Sequence, residues 1–295
     1  MQDAIYEFIN YIVIEKKLSN NTKDAYQRDL ISFSNYLNNK HINKISSTDI
    51  KNYISYLNKL NKTDKTIARN IVSIRNLFNY LMREERIKVN PCEKIESPKL
   101  KKQLPKTLNE EEVNLLLNID TKTPLDYRNK AMLELLYAAG LRVSELVNLT
   151  VNDVNLTDCY VRVYGKGKKE RIVPIAQITV DILDNYINIY RNSLLKGHLS
   201  DKLFISSYGK GITRQGFFKN LKLIAEKQGI KKDFSPHTLR HSYATHMLEN
   251  GADLRSIGEM LGNENIKTTQ IYTHLSNNKR RKDYEEYHPR NKKVL

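Results

Sequence analysis

Apolar side chains recur at helical spacing throughout the first ninety residues of the chain. Residues three or four positions apart share one face of an α-helix, so each run marks the buried face of one amphipathic helix. The four runs are Ile5, Phe8, Ile9 and Ile12; Tyr26, Leu30, Phe33 and Leu37; Ile50, Ile54 and Leu57; and Ile67, Ile71, Ile74, Phe78 and Leu81. The pattern predicts a four-helix bundle, which on its own is equally typical of a purely structural domain.

Helix start and stop signals divide the chain into two domains. We expect Asn90–Pro91 to stop the fourth helix, because proline disfavours helical backbone in the residue before it. A basic, proline-bounded linker follows at 98–106, and Thr107–Glu112 starts a new helix with three acids in its first turn. The predicted domains are therefore 1–97 and 107–295.

The second domain is predicted to be mostly helical with one β-hairpin. Val161 and Val163 alternate with polar residues, and Arg171–Pro174 returns on the far side of the turn Gly165–Lys169. Leu203–Ile205 is a candidate third strand. Helices are expected at about 125–138, 143–149, 177–191, 214–227, 238–249, 253–261 and 278–287. The fold class is mainly α with a small β-sheet.

Charge gives the first indication of a partner. The 295 residues carry a formal net charge of +16, and Lys and Arg outnumber Asp and Glu in both predicted domains. Each basic side chain placed on a phosphate releases condensed counterions, so two basic domains on one chain suggest a clamp around a nucleic-acid duplex. Charge alone is also typical of basic proteins that bind nothing specific.

Cysteine content and hydropathy exclude several classes of protein. Cys92 and Cys159 lie far apart, form no metal-binding spacing and suggest a reducing compartment. The first fifteen residues contain three acids and do not resemble a secretory signal. No stretch approaches the roughly 18 apolar residues that span a bilayer. We therefore expect a cytoplasmic protein. The sequence also shows neither a metal-ligand set nor a nucleotide-binding loop, so we expect no cofactor.

Two basic residues are placed where each could contact a phosphate. Gly140 ends one predicted helix and Arg142 begins the next, where backbone N–H groups favour an anion. Glu145 could orient that arginine or cap the helix. Lys166 lies at the hairpin tip, where a lysine can enter a DNA groove and protonate a leaving oxygen. Taken alone, each basic residue is more typical of a solvated surface.

A third candidate group follows the helix start Ser235–Pro236. His237 and Arg240 are three residues apart, so we expect both to project from one helix face toward one ligand. Arginine neutralises a phosphate oxygen, and histidine transfers protons near neutral pH. A metal site on His237 and His241 is the alternative, but the sequence lacks the intervening Glu of zinc proteases and a third ligand nearby.

Tyr272 is one of 18 tyrosines, and any one of them is more often a core ring than a nucleophile. Together, four segments resemble in order and spacing the tyrosine recombinases of the phage integrase family, specifically the Xer group of bacterial chromosome-dimer resolvases. The segments are Gly140–Leu146, Gly165–Arg171, Ser235–His241 and Thr268–His274, with His288–Pro289–Arg290 near the end. The likeness covers nearly the whole chain.

The resemblance implies a SAM-like helical core-binding domain joined to a mixed α/β catalytic domain. It implies Arg142 and Arg240 as a phosphate clamp, because arginine pairs with phosphate in a bidentate manner. It also implies Lys166 as general acid, His237 as acid–base partner and Tyr272 as the nucleophile. The catalytic domain would end in a docking helix at about 278–288.

One position departs from the family pattern. Family members typically carry His or Trp shortly after the Leu-Gly that precedes the tyrosine segment, whereas here Leu261–Gly262 is followed by Asn263. An amide can donate a hydrogen bond to phosphate but carries neither charge nor the bulk of an indole. We interpret Asn263 as a weakened sixth member of the site, and a plain turn residue is the alternative.

The resemblance further implies metal-independent strand exchange through a 3′-phosphotyrosine. Four protomers would act on two duplex DNA sites with inverted-repeat half-sites, with each C-terminal helix docking on a neighbour. A partner recombinase and a DNA translocase are further candidate partners.

Three other functions remain open at this point: a type IB topoisomerase, an integrase or resolvase of a mobile element, and a catalytically weakened DNA-binding protein. The small helical domain favours a recombinase over a topoisomerase. A separate arm-binding domain before the helical bundle would favour a large phage integrase, and we expect none here.

Overall fold

The computed structural model describes residues 1–16, 18, 20–98, 107–165, 169–232, 234–262 and 283–291. It divides into two compact units, Met1–Gln103 and Leu104–Leu295. None of the described helices combines the length and the apolar character needed to cross a membrane.

The first unit is the predicted bundle of four amphipathic helices. They are α1 Gln2–Ile14, α2 Asn20–Tyr36, α3 Ser47–Lys59 and α4 Asp64–Arg83. The buried faces meet around Phe8, Phe33, Ile50 and Phe78. Ser46 caps α3 in a reciprocal capping box with Asp49. The hydrophobic pattern therefore identified all four helices of this unit.

The predicted end of the fourth helix at Asn90–Pro91 is wrong. Helix α4 ends at Arg83, and Glu85 adopts a left-handed backbone with φ 55°. The Arg86 N–H then donates to the Leu81 carbonyl at 2.9 Å, which closes the helix in the manner of a Schellman motif. Asn90 instead caps the next turn, because its Oδ1 accepts from the Cys92 N–H at 2.8 Å.

Helices form most of the second unit. They are α5 Glu110–Leu117, α6 Pro124–Ala138, α7 Val143–Leu146, α8 Gln177–Asn185, α9 Arg191–Leu195, α10 Arg214–Lys227, α11 Pro236–Glu249 and α12 Leu254–Leu261. A π-helical turn, Tyr186–Tyr190, joins α8 to α9. The predicted helix at 143–149 is shorter than expected, because the chain leaves α7 for a bridge at Thr150.

A three-stranded antiparallel sheet lies beside these helices. Its strands are β1 Val154–Asn155, β2 Tyr160–Tyr164 and β3 Glu170–Pro174, in the order β1-β2-β3. The register pairs Val161 with Val173 and Val163 with Arg171. The predicted hairpin is therefore confirmed, and its inner face carries these four residues.

The predicted third strand, Leu203–Ile205, is wrong: the structure has only an isolated bridge at Ile205, and β1 is the third strand of the sheet. Side chains of the helical layer take the hydrogen bonds that a strand partner would need. The Tyr186 hydroxyl donates to the Leu203 carbonyl and accepts from the Ile205 N–H, each at 3.2 Å. Arg191 also donates to the Leu203 carbonyl.

The last described segment packs on its own unit. Residues 283–287 are helical, and the side chains of Tyr284 and His288 are buried. The Tyr284 hydroxyl accepts from the Ala176 N–H at 3.2 Å, and Arg290 pairs with buried Glu134 at 2.6 Å. Of the predicted docking stretch 278–288, the first five residues lie outside the described residues and the rest contact this chain's own core.

Candidate active site

The turn between α6 and α7 positions the first arginine. Gly140 has φ +54°, and a Cβ there would lie 2.6 Å from the Tyr243 ring, so only glycine fits both the backbone and the space. Leu141 is fully buried and anchors the turn. Arg142 follows as the N-cap residue of α7, where the sequence predicted it.

Glu145 lies at the centre of the site and is 5% exposed. Its Oε2 accepts from the Arg142 backbone N–H at 2.8 Å, and its Oε1 accepts from Arg142 Nη1 at 2.8 Å. Glu145 thus both caps α7 and orients Arg142, the two roles that the sequence left open. Arg171 of β3 donates to the same carboxylate in a bidentate manner, at 3.0 and 2.8 Å.

Arg240 reaches the same place from α11. Ser235 and Pro236 start that helix as predicted, with a capping box between Ser235 and Thr238. Arg240 Nη1 donates to the Gly140 carbonyl at 2.7 Å and lies 3.8 Å from Glu145 Oε2. Burial, together with the nearby Arg142 charge, lowers the pKa of Arg240 to about 10, so it stays protonated at neutral pH.

The end of α12 accepts one bond from each arginine. Three successive carbonyls take part: Met260 accepts from Arg171 at 2.7 Å, Leu261 from Arg240 at 2.6 Å and Gly262 from Arg142 at 3.2 Å. The last carbonyls of a helix have no partner within the helix and carry its negative dipole end, so cations are favoured there. The three arginines therefore satisfy carbonyls at the end of α12, where Gly262 turns left-handed with φ +62°.

The cluster carries an excess of positive charge, with three guanidinium groups around one carboxylate. Burial acts to raise the pKa of Glu145, but hydrogen bonds from Arg171 and Arg142 outweigh it and hold that pKa below its usual value. The Arg142 side chain is 35% exposed, against 10% for Arg240. The arrangement suits an incoming phosphate that contacts Arg142 first.

His237 lies on the first turn of α11 and is exposed, three residues before buried Arg240. His241 is exposed as well. Among the residues that the structure describes, no group of three or more His, Cys, Asp or Glu is arranged to hold a metal.

Comparison with known proteins decides the family. The phage integrase family model matches residues 106–279, and that of the phage integrase N-terminal SAM-like domain matches residues 5–85. The chain is 46% identical to the tyrosine recombinase XerD of Oceanobacillus iheyensis, covering 98% of this chain and 99% of that protein. It is 45% identical to tyrosine recombinase XerD of Staphylococcus aureus strain N315, covering 98% of this chain and all of that protein.

The chain belongs to the phage integrase family, as a Xer-type tyrosine recombinase. Among solved structures, the recombinase resembles XerH bound to its difH substrate, with a TM-score of 0.72 at 21% identity over 94% of this chain and 92% of that chain. A lambda integrase dimer bound to a COC′ core site gives a TM-score of 0.69 at 13% identity, over 90% of this chain and 95% of that chain. At these identities the likeness supports the fold.

Three of the six candidate residues of the recombinase lie within the described part of the chain. The structure brings Arg142 and Arg240 together around Glu145, and it places His237 on the same helix as Arg240. Lys166, Asn263 and Tyr272 lie outside the described residues. The described neighbours of the first two are Gly165, whose N–H donates to the Lys169 carbonyl at 2.8 Å, and Gly262.

Arg171 is a member of the site that was not predicted from the sequence. In β3, Arg171 and Val173 share a face and pair with buried Val163 and Val161. Residues two apart in a strand share a face, so the sequence already placed Arg171 on the same face as the apolar Val173. A charged residue on a core-facing side requires a buried partner, and this spacing was the available signal.

Proposed function

We propose that this recombinase exchanges DNA strands at a dif-like chromosomal site and thereby resolves chromosome dimers. The observation that carries the proposal is the cluster of Arg142, Arg171 and Arg240 around one buried carboxylate, which holds positive charge ready for a phosphate. Identity of about 45% to XerD proteins over nearly the full chain supports the chromosomal role.

Arg142 and Arg240 are proposed to bind the scissile phosphate. Each is anchored by carbonyl groups of the chain, so both guanidinium groups are fixed before the substrate arrives. Donors fixed in advance stabilise developing charge without reorganising during the reaction. The pentacoordinate phosphorus carries more charge than the ground state, and the arginines favour it for that reason.

Tyr272 is proposed as the nucleophile. Its Oη forms a bond to phosphorus while the bond from phosphorus to the 5′ oxygen breaks, which leaves a 3′-phosphotyrosine and a free 5′-hydroxyl. Lys166 protonates the departing oxygen, and His237, as the acid–base partner, accepts the proton that the Tyr272 hydroxyl loses. Asn263 donates a hydrogen bond to a phosphate oxygen. The 5′-hydroxyl of a partner strand then attacks the phosphotyrosine and releases Tyr272.

Residues 1–97 and 107–295 are proposed to hold duplex DNA as two halves of a clamp joined by the linker 98–106. The formal charge of +16 supports a DNA partner. We further propose that the DNA site has inverted-repeat half-sites and that a tetramer acts on two such sites, with the stretch at 278–288 of each protomer docking on a neighbour. A second recombinase and a DNA translocase are proposed as further partners. The proposed location is the cytoplasm. XerH, which this chain resembles in fold, binds a difH substrate in its solved structure.

Trapping on a nicked duplex tests the proposal. A suicide substrate, selected from the chromosomal fragments that the protein binds, should retain covalent protein on its 3′ end. Tyr272→Phe should abolish the adduct without weakening binding, because only the nucleophilic oxygen is lost. Tyr208→Phe is the matched control, since Tyr208 is 80% exposed and lies outside the site. If the unmodified protein forms no adduct on a site that it binds, the proposed DNA-cleaving activity is refuted.

A further inference from the structure

We propose that Arg171 is a positioning residue for DNA cleavage. It holds Glu145 and the end of α12 in the arrangement in which Arg142 and Arg240 grip the scissile phosphate. The inference rests on the proposed function and adds to it a residue that makes no contact with the DNA.

The contacts of Arg171 distinguish it from a DNA-binding arginine. Its side chain is 9% exposed, and all three nitrogens of its guanidinium group donate to the protein. Nη1 and Nη2 bind the two oxygens of Glu145 at 3.0 and 2.8 Å, and Nε binds the Met260 carbonyl at 2.7 Å. Three of its five N–H groups are thus bound within the protein, and the side chain is nearly buried, so we infer that Arg171 acts through its partners.

Three separate parts of the chain meet at this side chain. Arg171 itself follows the hairpin turn after Lys166, Glu145 belongs to α7, and Met260 lies in the last turn of α12. The sequence that leads to Tyr272 begins directly after that last turn. A rigid bidentate pair on one side and a helix end on the other restrict the relative position of all three parts.

Gly262 shows how closely the guanidinium group approaches the end of α12. A Cβ at this position would lie 3.0 Å from Arg171 Nη1 and 3.2 Å from its Cδ and Cζ. Gly262 also has φ +62°, so glycine is favoured by the backbone and by the arginine together. The backbone at the end of α12 therefore packs directly against the Arg171 guanidinium group.

Loss of Arg171 would change the partners of Glu145. The Glu145 carboxylate would keep its hydrogen bond from Arg142. Its other arginine neighbour would be Arg240, whose Nη1 lies 3.8 Å from Glu145 Oε2. The Met260 carbonyl would lose its arginine donor. A misplacement of about 1 Å at a reacting group costs on the order of a hundredfold in rate, and we expect a loss of about that size for Arg171→Gln.

Arg171→Lys is the second variant, because it keeps the charge and can fold where Arg171→Gln does not. A lysine is a point charge that cannot reproduce the planar fork, so we expect at least about a tenfold loss of cleavage rate. The matched controls are Arg191→Gln and Arg191→Lys. Arg191 is also a buried arginine that binds backbone carbonyls, those of Ser200, Lys202 and Leu203, away from the site.

The test measures single-turnover adduct formation on the nicked duplex at saturating protein, with DNA affinity and melting temperature measured on the same samples. Both Arg171 variants should bind DNA as the unmodified protein does and cleave it more slowly, with Lys faster than Gln. The Arg191 variants should have lower melting temperatures. Their folded, DNA-bound fraction should form the adduct at a rate within about twofold of that of the unmodified protein. A wild-type rate in Arg171→Lys overturns the inference.

Two further measurements separate positioning from general stability. In the double variant Arg171→Gln/Glu145→Gln, the two losses should not multiply, since both residues act through one carboxylate. The acid limb of the rate profile should move to higher pH in Arg171→Gln, because Glu145 keeps Arg142 and Arg240 but loses its bidentate partner. The inference is contradicted if the rate losses of the two single variants multiply in the double variant and the acid limb of the rate profile stays in place. Absence of an adduct from the unmodified protein would instead refute the proposed function itself.

Discussion

At the scale of single residues, distance along the chain decided which contacts of the site were predictable. Arg142 and Glu145 are three residues apart, and their interaction follows from one turn of helix. Arg171 and Met260 are separated by 89 positions, and no local pattern brings them together. The pair at the start of α7 was therefore predictable from the sequence, whereas the third arginine of the cluster was not.

His288 is a second residue whose environment only the fold reveals. It is fully buried, and its Nδ1 accepts from the Arg290 N–H at 3.1 Å, so that nitrogen carries no proton. Rings of Tyr137, Tyr243 and Tyr284 surround it. Burial lowers the pKa of His288 to about 3, helped by the nearby charges of Arg290 and His246.

Acid should therefore loosen the segment 283–291. The pKa of His288 is lower in the folded chain than its ordinary 6.5, so the unfolded segment binds more protons between these values and stability falls as pH drops below 6.5. We expect a loss of about 2 kcal/mol at pH 5 relative to pH 7. The loss is measured by amide hydrogen exchange in 283–291 at pH 7 and pH 5, after correction for the intrinsic exchange rates.

His288→Asn is the control, because asparagine keeps an acceptor and does not titrate. Its exchange should lose most of the dependence on pH between 7 and 5. An equal dependence in both proteins would assign the effect to another group and contradict the role of His288.

At the scale of elements, hydrophobic periodicity located the helices, while backbone conformation and side-chain hydrogen bonds decided where elements end or fail to form. Helix α4 stops at Arg83 because Glu85 turns left-handed, which no start or stop signal in the sequence announced. Leu203–Ile205 has the composition of a strand, but Tyr186 and Arg191 occupy its backbone groups. β1 has two residues, too few for an alternating pattern.

The turn after α6 is the element on which the site depends most closely. Gly140→Ala should destabilise the second unit by more than about 2 kcal/mol, because it adds backbone strain to a clash with the Tyr243 ring. Gly229→Ala isolates the strain, since Gly229 has φ +70° and nothing within 4 Å of a new Cβ.

Denaturant unfolding of the two alanine variants provides the comparison. Gly229→Ala should cost about 1 kcal/mol, the size of strain alone. Equal losses for Gly140→Ala and Gly229→Ala would show that the packing against Tyr243 contributes nothing.

At the scale of the whole molecule, the sequence predicted the two-part organisation and the family, because four chemical segments in order carry more information than any one of them. The described structure shows what joins them in space: the segments around Arg142, Arg171 and Arg240 converge on Glu145 and on the last carbonyls of α12. Convergence of distant segments depends on packing, which periodicity and composition do not encode.

The central claim is that Tyr272, one of 18 tyrosines, forms the bond to DNA. The most direct measurement is mass spectrometry of peptides from the covalent adduct, after nuclease digestion of all but the attached nucleotides. The account predicts a nucleotide joined through its 3′ phosphate to Tyr272 and to no other residue. A nucleotide on another residue, or attachment through a 5′ phosphate, would contradict it.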